Sequence, residues 1–217
     1  TLSVTITASN KTYDRTTTAS VTYSDDRVSG DVLVITSTPT FIDKNVGNGK
    51  TVTATGISVT STDSGNYTWN TTATTTADIT KRSLTIGITP SNKVYNANTT
   101  ATVAYTDNRV SGDALSFAST ATFSDKNVGT GKTVTATGIT ITGTDAANYT
   151  QNTTATATAD ITARSLTVTA TATDPSGNSA TCSFTVTVND DDAPTLVAML
   201  QRINERSATR LLVSLTN

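Results

Sequence analysis

The chain has 217 residues and a formal net charge of −2, and its 15 Lys and Arg residues form no cluster of the kind that nucleic-acid binding requires. It contains no His and one Cys, so the commonest general base and metal ligand is missing and no internal disulfide can form. No run of about 18 apolar residues occurs, so we expect no membrane insertion by this segment.

Two tandem copies of one module fill residues 1–164. The segment 43–57 returns almost letter for letter as 125–139, which gives a period of 82 residues (125 − 43). The sequence therefore predicts one repeat at 1–82 and a second at 83–164. A self-similar array of this kind favours a structural or binding role over a catalytic one. Neighbouring repeats of the same chain are the first partners that it implies.

Alternation of apolar and polar residues predicts strands in both repeats. The chain contains 54 Thr residues, and a β-branched side chain suits an extended, half-buried strand. In the first repeat the predicted strands begin at residue 2, then run over 19–23 and 32–37, and the last closes the module over 73–79. A period of two in short segments is typical of an all-β or mostly-β fold, here with about six strands per module.

Glycines mark the places where this alternation is interrupted. Gly47 and Gly49 are predicted to bracket a tight turn, since positive φ costs little only for glycine. After Gly56 the apolar positions change from even to odd numbers, and the same change follows Gly138. One added residue that reverses the facing of a strand is typical of a β-bulge, so a bulge is predicted at each of these two glycines.

The C-terminal quarter differs from the repeats. Residues 168–188 alternate on both sides of a turn, which predicts a β-hairpin, and an acidic linker follows up to residue 192. Beyond it, Leu196, Met199, Leu200 and Ile203 have helical spacing. We therefore predict a hairpin with its linker at 165–192 and a tail at 193–217 that contains a short helix.

Several spaced motifs in the repeats resemble the YDG repeat of bacterial surface proteins. In the first repeat these motifs are Lys11-Thr12-Tyr13-Asp14, Val28-Ser29-Gly30-Asp31, Asp43-Lys44-Asn45-Val46-Gly47, Gly65-Asn66-Tyr67 and Ala77-Asp78-Ile79-Thr80. The repeat departs from the pattern at Arg15, where the family usually has Gly. The resemblance implies tandem β-grasp-like or sandwich modules, arranged end to end in adhesins of the filamentous-haemagglutinin-like type.

Residues 169–188, and 172–184 in particular, look like the last two strands of an HYR domain. That domain is an immunoglobulin-like extracellular module linked to adhesion, and only its end is recognised in this sequence. Together the two resemblances imply an extracellular protein, secreted or on the bacterial cell surface.

The one candidate metal site is the acidic linker. Asn189, Asp190, Asp191 and Asp192 resemble calcium-holding linkers between extracellular modules, and several carboxylates in a short turn suit a hard cation. The alternative is a solvated linker that binds nothing. Calcium is thus the only candidate cofactor.

Other polar residues have both a structural and a functional interpretation. Asp31 and Asp113 each follow Ser-Gly, which favours turn caps over ligands. Lys44 or Lys50 could form an isopeptide bond with a nearby Asp or Asn, although an exposed loop lysine is the more ordinary interpretation. The six Tyr residues could face a glycan, whereas their place on alternating strands favours packing.

No catalytic set can be assembled from these residues, so we predict that the chain is not an enzyme. The favoured function is a stalk or spacer region of a bacterial adhesin. Two alternatives remain: the modules themselves bind carbohydrate or a host protein, or the chain is an accessory region of an extracellular enzyme.

Overall fold

The computed structural model describes residues 1–173, 175–188 and 212–214. In this part of the chain nearly all regular structure is β-strand, and the only helical segments are two short 3₁₀ turns at Ser64–Asn66 and Ala146–Asn148. The prediction of an all-β or mostly-β fold is confirmed. The β-grasp-like build and the end-to-end order of the modules stay predictions.

Two predictions for the C-terminal region fall outside the described residues. The helix predicted from the spacing of Leu196 to Ile203 is one, and the acidic calcium linker 189–192 is the other. Within the described residues, no helix is long and apolar enough to cross a membrane.

The described residues contain 17 strands, numbered here in chain order. In the first repeat they are β1 (Thr5–Ala8), β2 (Lys11–Thr12), β3 (Val21–Ser24), β4 (Val34–Phe41), β5 (Gly47–Thr60) and β6 (Thr72–Thr80). The second repeat contains β7 (Arg82–Leu84), β8 (Ile86–Pro90), β9 (Lys93–Val94), β10 (Val103–Asp107), β11 (Ser116–Phe123), β12 (Gly129–Thr142), β13 (Tyr149–Gln151) and β14 (Thr154–Thr162). The C-terminal strands are β15 (Arg164–Thr173), β16 (Ser179–Val188) and β17 (Leu212–Ser214).

The compact units of the molecule do not follow the sequence period. The first unit contains residues 1–86 together with 107–118 and 139–153, which belong to the second repeat. The second unit contains 87–106, 119–138 and the described residues after Thr153. The predicted domain boundaries at 82/83 and 164/165 stay predictions of the sequence.

The first unit is built on a four-stranded sheet of order β2-β6-β5-β4. The long strand β5 pairs antiparallel with both β4 and β6, whereas β2 pairs parallel with the end of β6. A second, two-stranded sheet joins β1 to β3 in antiparallel register. Buried apolar side chains of both sheets and of the segments beside them form the core of the unit, a set that includes Leu2, Val4, Ile6, Leu33, Ala54, Ile57 and Val59. Threonines of β5 and β6 alternate with these residues and are exposed or half-buried.

The β-bulge predicted at Gly56 is confirmed. The register between β4 and β5 shifts between Thr36 and Thr38, and Gly56 has a φ of 63°. Val52 is buried before the bulge and Ile57 after it, so the extra residue keeps both halves of one long strand facing the core. Gly138 repeats the φ of 63° in the second repeat.

Two details of the predicted turns and strands were wrong. The third strand runs over Val34–Phe41 and includes Pro39, which the sequence had placed after the strand. The strand accommodates Pro39 because β4 is the edge of its sheet, where a missing backbone N–H is tolerated. Gly47 and Gly49 lie inside β5 at a register shift against β6, not around a turn, although the φ of Gly49 is positive at 58°.

The second repeat forms an equivalent main sheet in the order β11-β12-β14-β9, most of whose residues belong to the second unit. β12 pairs antiparallel with β14, and β9 pairs parallel with the end of β14. Val134, Ala136 and Ile161 are almost fully buried there, as Val52, Ala54 and Ile79 are in the first unit.

The hairpin predicted at the end of the second unit is confirmed. β15 and β16 pair antiparallel from Arg164↔Val188 to Thr173↔Ser179 without a register shift. β17 pairs antiparallel with the other edge of β15, which makes a three-stranded sheet of order β16-β15-β17.

Candidate functional site

A network of polar contacts lies in the first unit, where the first repeat meets residues 107–118 and 139–153. We call it the repeat junction. From the first repeat it contains Tyr13, Arg15, Lys44, Asn45 and Val46, and from the second it contains Ser111, Asp113, Asp145, Asn148 and Tyr149. The partners are about 100 residues apart in sequence. The junction is therefore a tertiary contact and not a local turn.

Asp113 is the centre of the junction. Its side chain is fully shielded from solvent. The hydroxyl of Tyr13 donates to its Oδ1 over 3.1 Å, and the hydroxyl of Tyr149 donates to its Oδ2 over 2.6 Å. The Nε of Arg15 lies 3.1 Å from the same Oδ1. A buried carboxylate is costly unless it is paired and hydrogen-bonded, and these three groups meet both conditions.

The two tyrosines that bind Asp113 also contact each other. The rings of Tyr13 and Tyr149 meet edge to face, with centroids 5.5 Å apart and planes inclined by 75°. Both residues are almost fully buried. Burial, strengthened by the hydrogen bond to the Asp113 carboxylate, raises the pKa of Tyr149 to about 12 and raises the pKa of Tyr13 as well. Both side chains therefore remain neutral donors over the physiological range.

Arg15 enters the junction at a conformational cost. Its φ of 69° lies in the left-handed region, and Ala97, the equivalent residue of the second repeat, has a φ of 62°. This geometry explains why the YDG pattern usually has Gly at that position. The Nη1 of Arg15 donates to the Ser111 carbonyl over 2.9 Å, and a Cβ on Gly112 would lie 2.1 Å from the same Nη1. Glycine at position 112 is favoured by its φ of 90°, and a side chain there would displace the end of Arg15.

A second ion pair closes the junction beside the first. Lys44 Nζ lies 3.0 Å from Asp145 Oδ1, while the backbone N–H of Ala114 donates to Asp145 Oδ2 over 3.0 Å. The Ala114 N–H and the Lys44 ammonium together lower the pKa of Asp145. Asp145 is therefore ionised at neutral pH and holds both groups.

Backbone contacts complete the junction. The N–H of Val46 donates to Asn148 Oδ1 over 2.9 Å, and Asn148 is only 2% exposed. The strand β7, which directly follows Lys81, pairs parallel with β13, so that Arg82–Leu84 lie beside Tyr149–Gln151. A single residue separates β6 from β7. The described chain thus passes from the first repeat into the junction without a linker of any length.

We expect the first unit to lose folding stability in alkali, because the junction contains a buried tyrosine with a raised pKa. The pKa of Tyr149 is about 12 in the folded protein against about 10 in an unfolded chain. Because the pKa of Tyr149 is higher in the folded than in the unfolded protein, the stabilisation that this residue contributes is complete below about pH 10. It disappears as the pH rises through about 12. We expect the urea midpoint of the first unit, followed by Trp69 fluorescence, to fall steeply between these two values. Tyr149→Phe should remove a large part of that fall, and an equal fall in the variant would contradict the assignment.

The sequence located some of these residues but not their roles. Asp31 and Asp113 were predicted as turn caps, yet their carboxylates accept hydrogen bonds from the hydroxyls of Tyr67 and Tyr149. Those two tyrosines keep the same offset of 36 residues from their aspartates in both repeats, a signal that could have indicated the pairing. Asn148 is the counterpart of Asn66 in the Gly65-Asn66-Tyr67 motif, but the motif did not show that its side chain accepts from Val46.

The structure also shows the contacts of Lys44, Lys50 and one of the tyrosines. Lys44 forms the ion pair with Asp145, and Lys50 lies 2.8 Å from Asp43. The Tyr23 hydroxyl lies 2.6 Å from Ser37 Oγ. This tyrosine of β3 therefore makes a hydrogen bond to β4 within the first repeat. Within the described residues, no group of three or more Asp, Glu or Cys is placed to hold a metal ion.

Comparison with known protein families finds one match for each repeat. The family model of the YDG domain matches residues 1–77 and again residues 80–159. The HYR domain matches residues 132–188, a range that begins well before the hairpin and overlaps the second YDG match. Both are non-enzymatic domain types. No curated protein and no solved structure matches the chain. Since the two YDG matches cover well over half of the 217 residues, the chain belongs to the YDG-domain family.

Proposed function

We propose that the chain is a non-catalytic stalk region of a bacterial adhesin, secreted or attached to the cell surface, in which the modules carry a binding domain away from the cell. The observation that carries this proposal is the buried network around Asp113. A spacer must resist bending, and a junction of fully satisfied buried polar groups has one low-energy geometry. The two domain types also support an extracellular role, since HYR is an extracellular-type domain.

The rigidity of the junction can be tested within one molecule. The backbone N–H of Val46 donates to Asn148, whereas Val128, the equivalent residue of the second repeat, has no such donor bond among the described residues. We expect amide hydrogen exchange at Val46 to be at least about tenfold slower than at Val128, since exchange there requires the junction to open. Equal exchange rates would mean that the junction opens freely, which would overturn the spacer proposal.

The alternative is that the modules bind a ligand themselves. One observation favours it: a cavity of about 330 Å³ is lined only by Ser, Asn, Lys and Thr residues, Asn92, Lys93 and Asn98 among them. These side chains could hydrogen-bond a sugar, but no aromatic residue lines the cavity to stack on a sugar ring. A glycan array and a host-cell binding assay with the whole chain decide between the two. Saturable binding that Asn92→Ala and Asn98→Ala abolish would establish the alternative.

A further inference from the structure

The second repeat supplies the Asp and Asn oxygens that accept hydrogen bonds across the junction, together with Tyr149, which donates to Asp113. These residues have counterparts in the first repeat. Asp113, Asp145, Asn148 and Tyr149 correspond to Asp31, Asp63, Asn66 and Tyr67, each 82 residues earlier. We call these four residues of the first repeat the acceptor face. It has the same chemistry as the occupied side of the junction.

The internal half of the network is already formed on the acceptor face. Tyr67 hydroxyl donates to Asp31 Oδ2 over 2.6 Å, the distance found between Tyr149 and Asp113. The N–H of Val32 donates to Asp63 Oδ2 over 2.9 Å, as the N–H of Ala114 does to Asp145. The carboxylates are thus held in the orientation that the junction uses.

The two repeats differ at the second oxygen, Oδ1, of each of these carboxylates. In the second repeat, Oδ1 of Asp113 and Oδ1 of Asp145 accept from the first repeat. Within the described part of the chain, no donor reaches Oδ1 of Asp31 or of Asp63. Exposure follows the same pattern, since Asn148 is 2% exposed while Asn66 is exposed to solvent.

The complementary donors recur in the second repeat. Tyr95, Lys126, Asn127 and Val128 stand where the first repeat has Tyr13, Lys44, Asn45 and Val46. We call these four residues the donor face. Lys126 and Asn127 are exposed, and Tyr95 is half-buried whereas Tyr13 is fully buried. Only the counterpart of Arg15 is missing, because Ala97 takes its place.

We propose that the acceptor face of one molecule binds the donor face of a second copy of this chain, with the contacts of the repeat junction. Lys126 of one copy meets Asp63 of the other, the Tyr95 hydroxyl reaches Asp31, and the Val128 N–H reaches Asn66. The contact uses different residues on each side, so it is heterologous and repeats from copy to copy. This inference goes beyond the stalk proposal and does not depend on it.

Association between separate copies is weaker than the junction within the chain. It lacks the ion pair of Arg15 with Asp113, and it lacks the high effective concentration that a covalent connection provides. The salt bridge of the exposed Lys126 with the half-buried Asp63 also makes it sensitive to ionic strength. We therefore expect self-association at high protein concentration and low salt, with a marked decrease when salt is added.

Sedimentation velocity of the whole chain tests the proposal at concentrations up to about 1 mM, where weak interfaces are populated. Lys126→Asp places two negative charges opposite each other and should weaken association at least about tenfold, because facing like charges are strongly unfavourable. Asp63→Lys should have the same effect through two positive charges. An equimolar mixture of the two variants restores opposite charges at every contact and should associate again.

Controls separate docking from misfolding and from general charge effects. Lys81→Asp makes the same charge change at another exposed lysine and should leave association unchanged. Lys126 is exposed, so its variant is expected to fold, and circular dichroism checks both variants. A chain that stays monomeric over the whole concentration range would overturn the proposal. So would a mixture that fails to associate, or an equal effect of Lys81→Asp and Lys126→Asp.

Discussion

Asp113→Ala is expected to lower the free energy of unfolding of the first unit by about 3–5 kcal/mol, because two buried tyrosine hydroxyls lose their acceptor, at about 1–3 kcal/mol for each. The variant leaves the hydroxyls of Tyr13 and Tyr149 buried without their acceptor, and it leaves Arg15 without its carboxylate. Urea unfolding followed by the fluorescence of Trp69, which lies in the first unit, measures the change.

The repeat provides a matched control for this variant. Asp31→Ala removes the equivalent carboxylate, but Asp31 is half-buried and accepts from one tyrosine only. The expected loss is about 1 kcal/mol, the value of one ordinary hydrogen bond. If the two variants were equally destabilised, Asp113 would be acting within its own repeat, and the junction would contribute nothing to stability.

Tyr13→Ala is expected to destabilise the first unit by about 3–5 kcal/mol, as is usual when a large buried aromatic side chain is truncated. Tyr13 is fully buried, packs edge to face on Tyr149 and donates to Asp113, so the variant loses packing and a hydrogen bond together. Hydrogen exchange at the buried core residue Val52 measures the change, with Val134 as the reference amide in the second unit.

Two further variants separate these contributions. Tyr13→Phe keeps the ring and loses only the hydroxyl, so a loss of about 1–2 kcal/mol is expected from the hydrogen bond alone. Tyr95→Ala truncates the equivalent half-buried residue of the second repeat, and we expect exchange at Val134 to change clearly less than exchange at Val52 does in Tyr13→Ala. A change of the same size would show that the ring stabilises each repeat locally and not through the junction.

Much of the fold was predictable because its signals are local. The alternation of Leu2, Val4 and Ile6 with polar residues indicates a side buried in the core, and all three residues are buried. The change of parity at Gly56 locates the bulge, since only an added residue can keep both halves of β5 facing inward. Pro39 was misplaced because its tolerance depends on β4 being an edge strand, which is a property of the sheet and not of the segment.

The candidate site was much less predictable. Local sequence says that Asp113 follows Ser-Gly, and a turn cap is the ordinary role for such a residue. Its actual partners, Tyr13 and Tyr149, lie 100 and 36 residues away. No periodicity within a strand reports contacts of that separation, because strand patterns describe which face is buried and not what buries it.

The sequence by itself determined that the chain is built from two threonine-rich β repeats with a period of 82 residues, since strand periodicity and glycine positions are encoded residue by residue. Tyr13 and Tyr95 show what it did not determine. They occupy equivalent positions in the two repeats, yet one is fully buried and the other half-exposed. Only the tertiary structure decided between them. Tyr13 is buried because Asp113 and Tyr149 of the second repeat pack against it, and no local pattern around either tyrosine indicates such a neighbour.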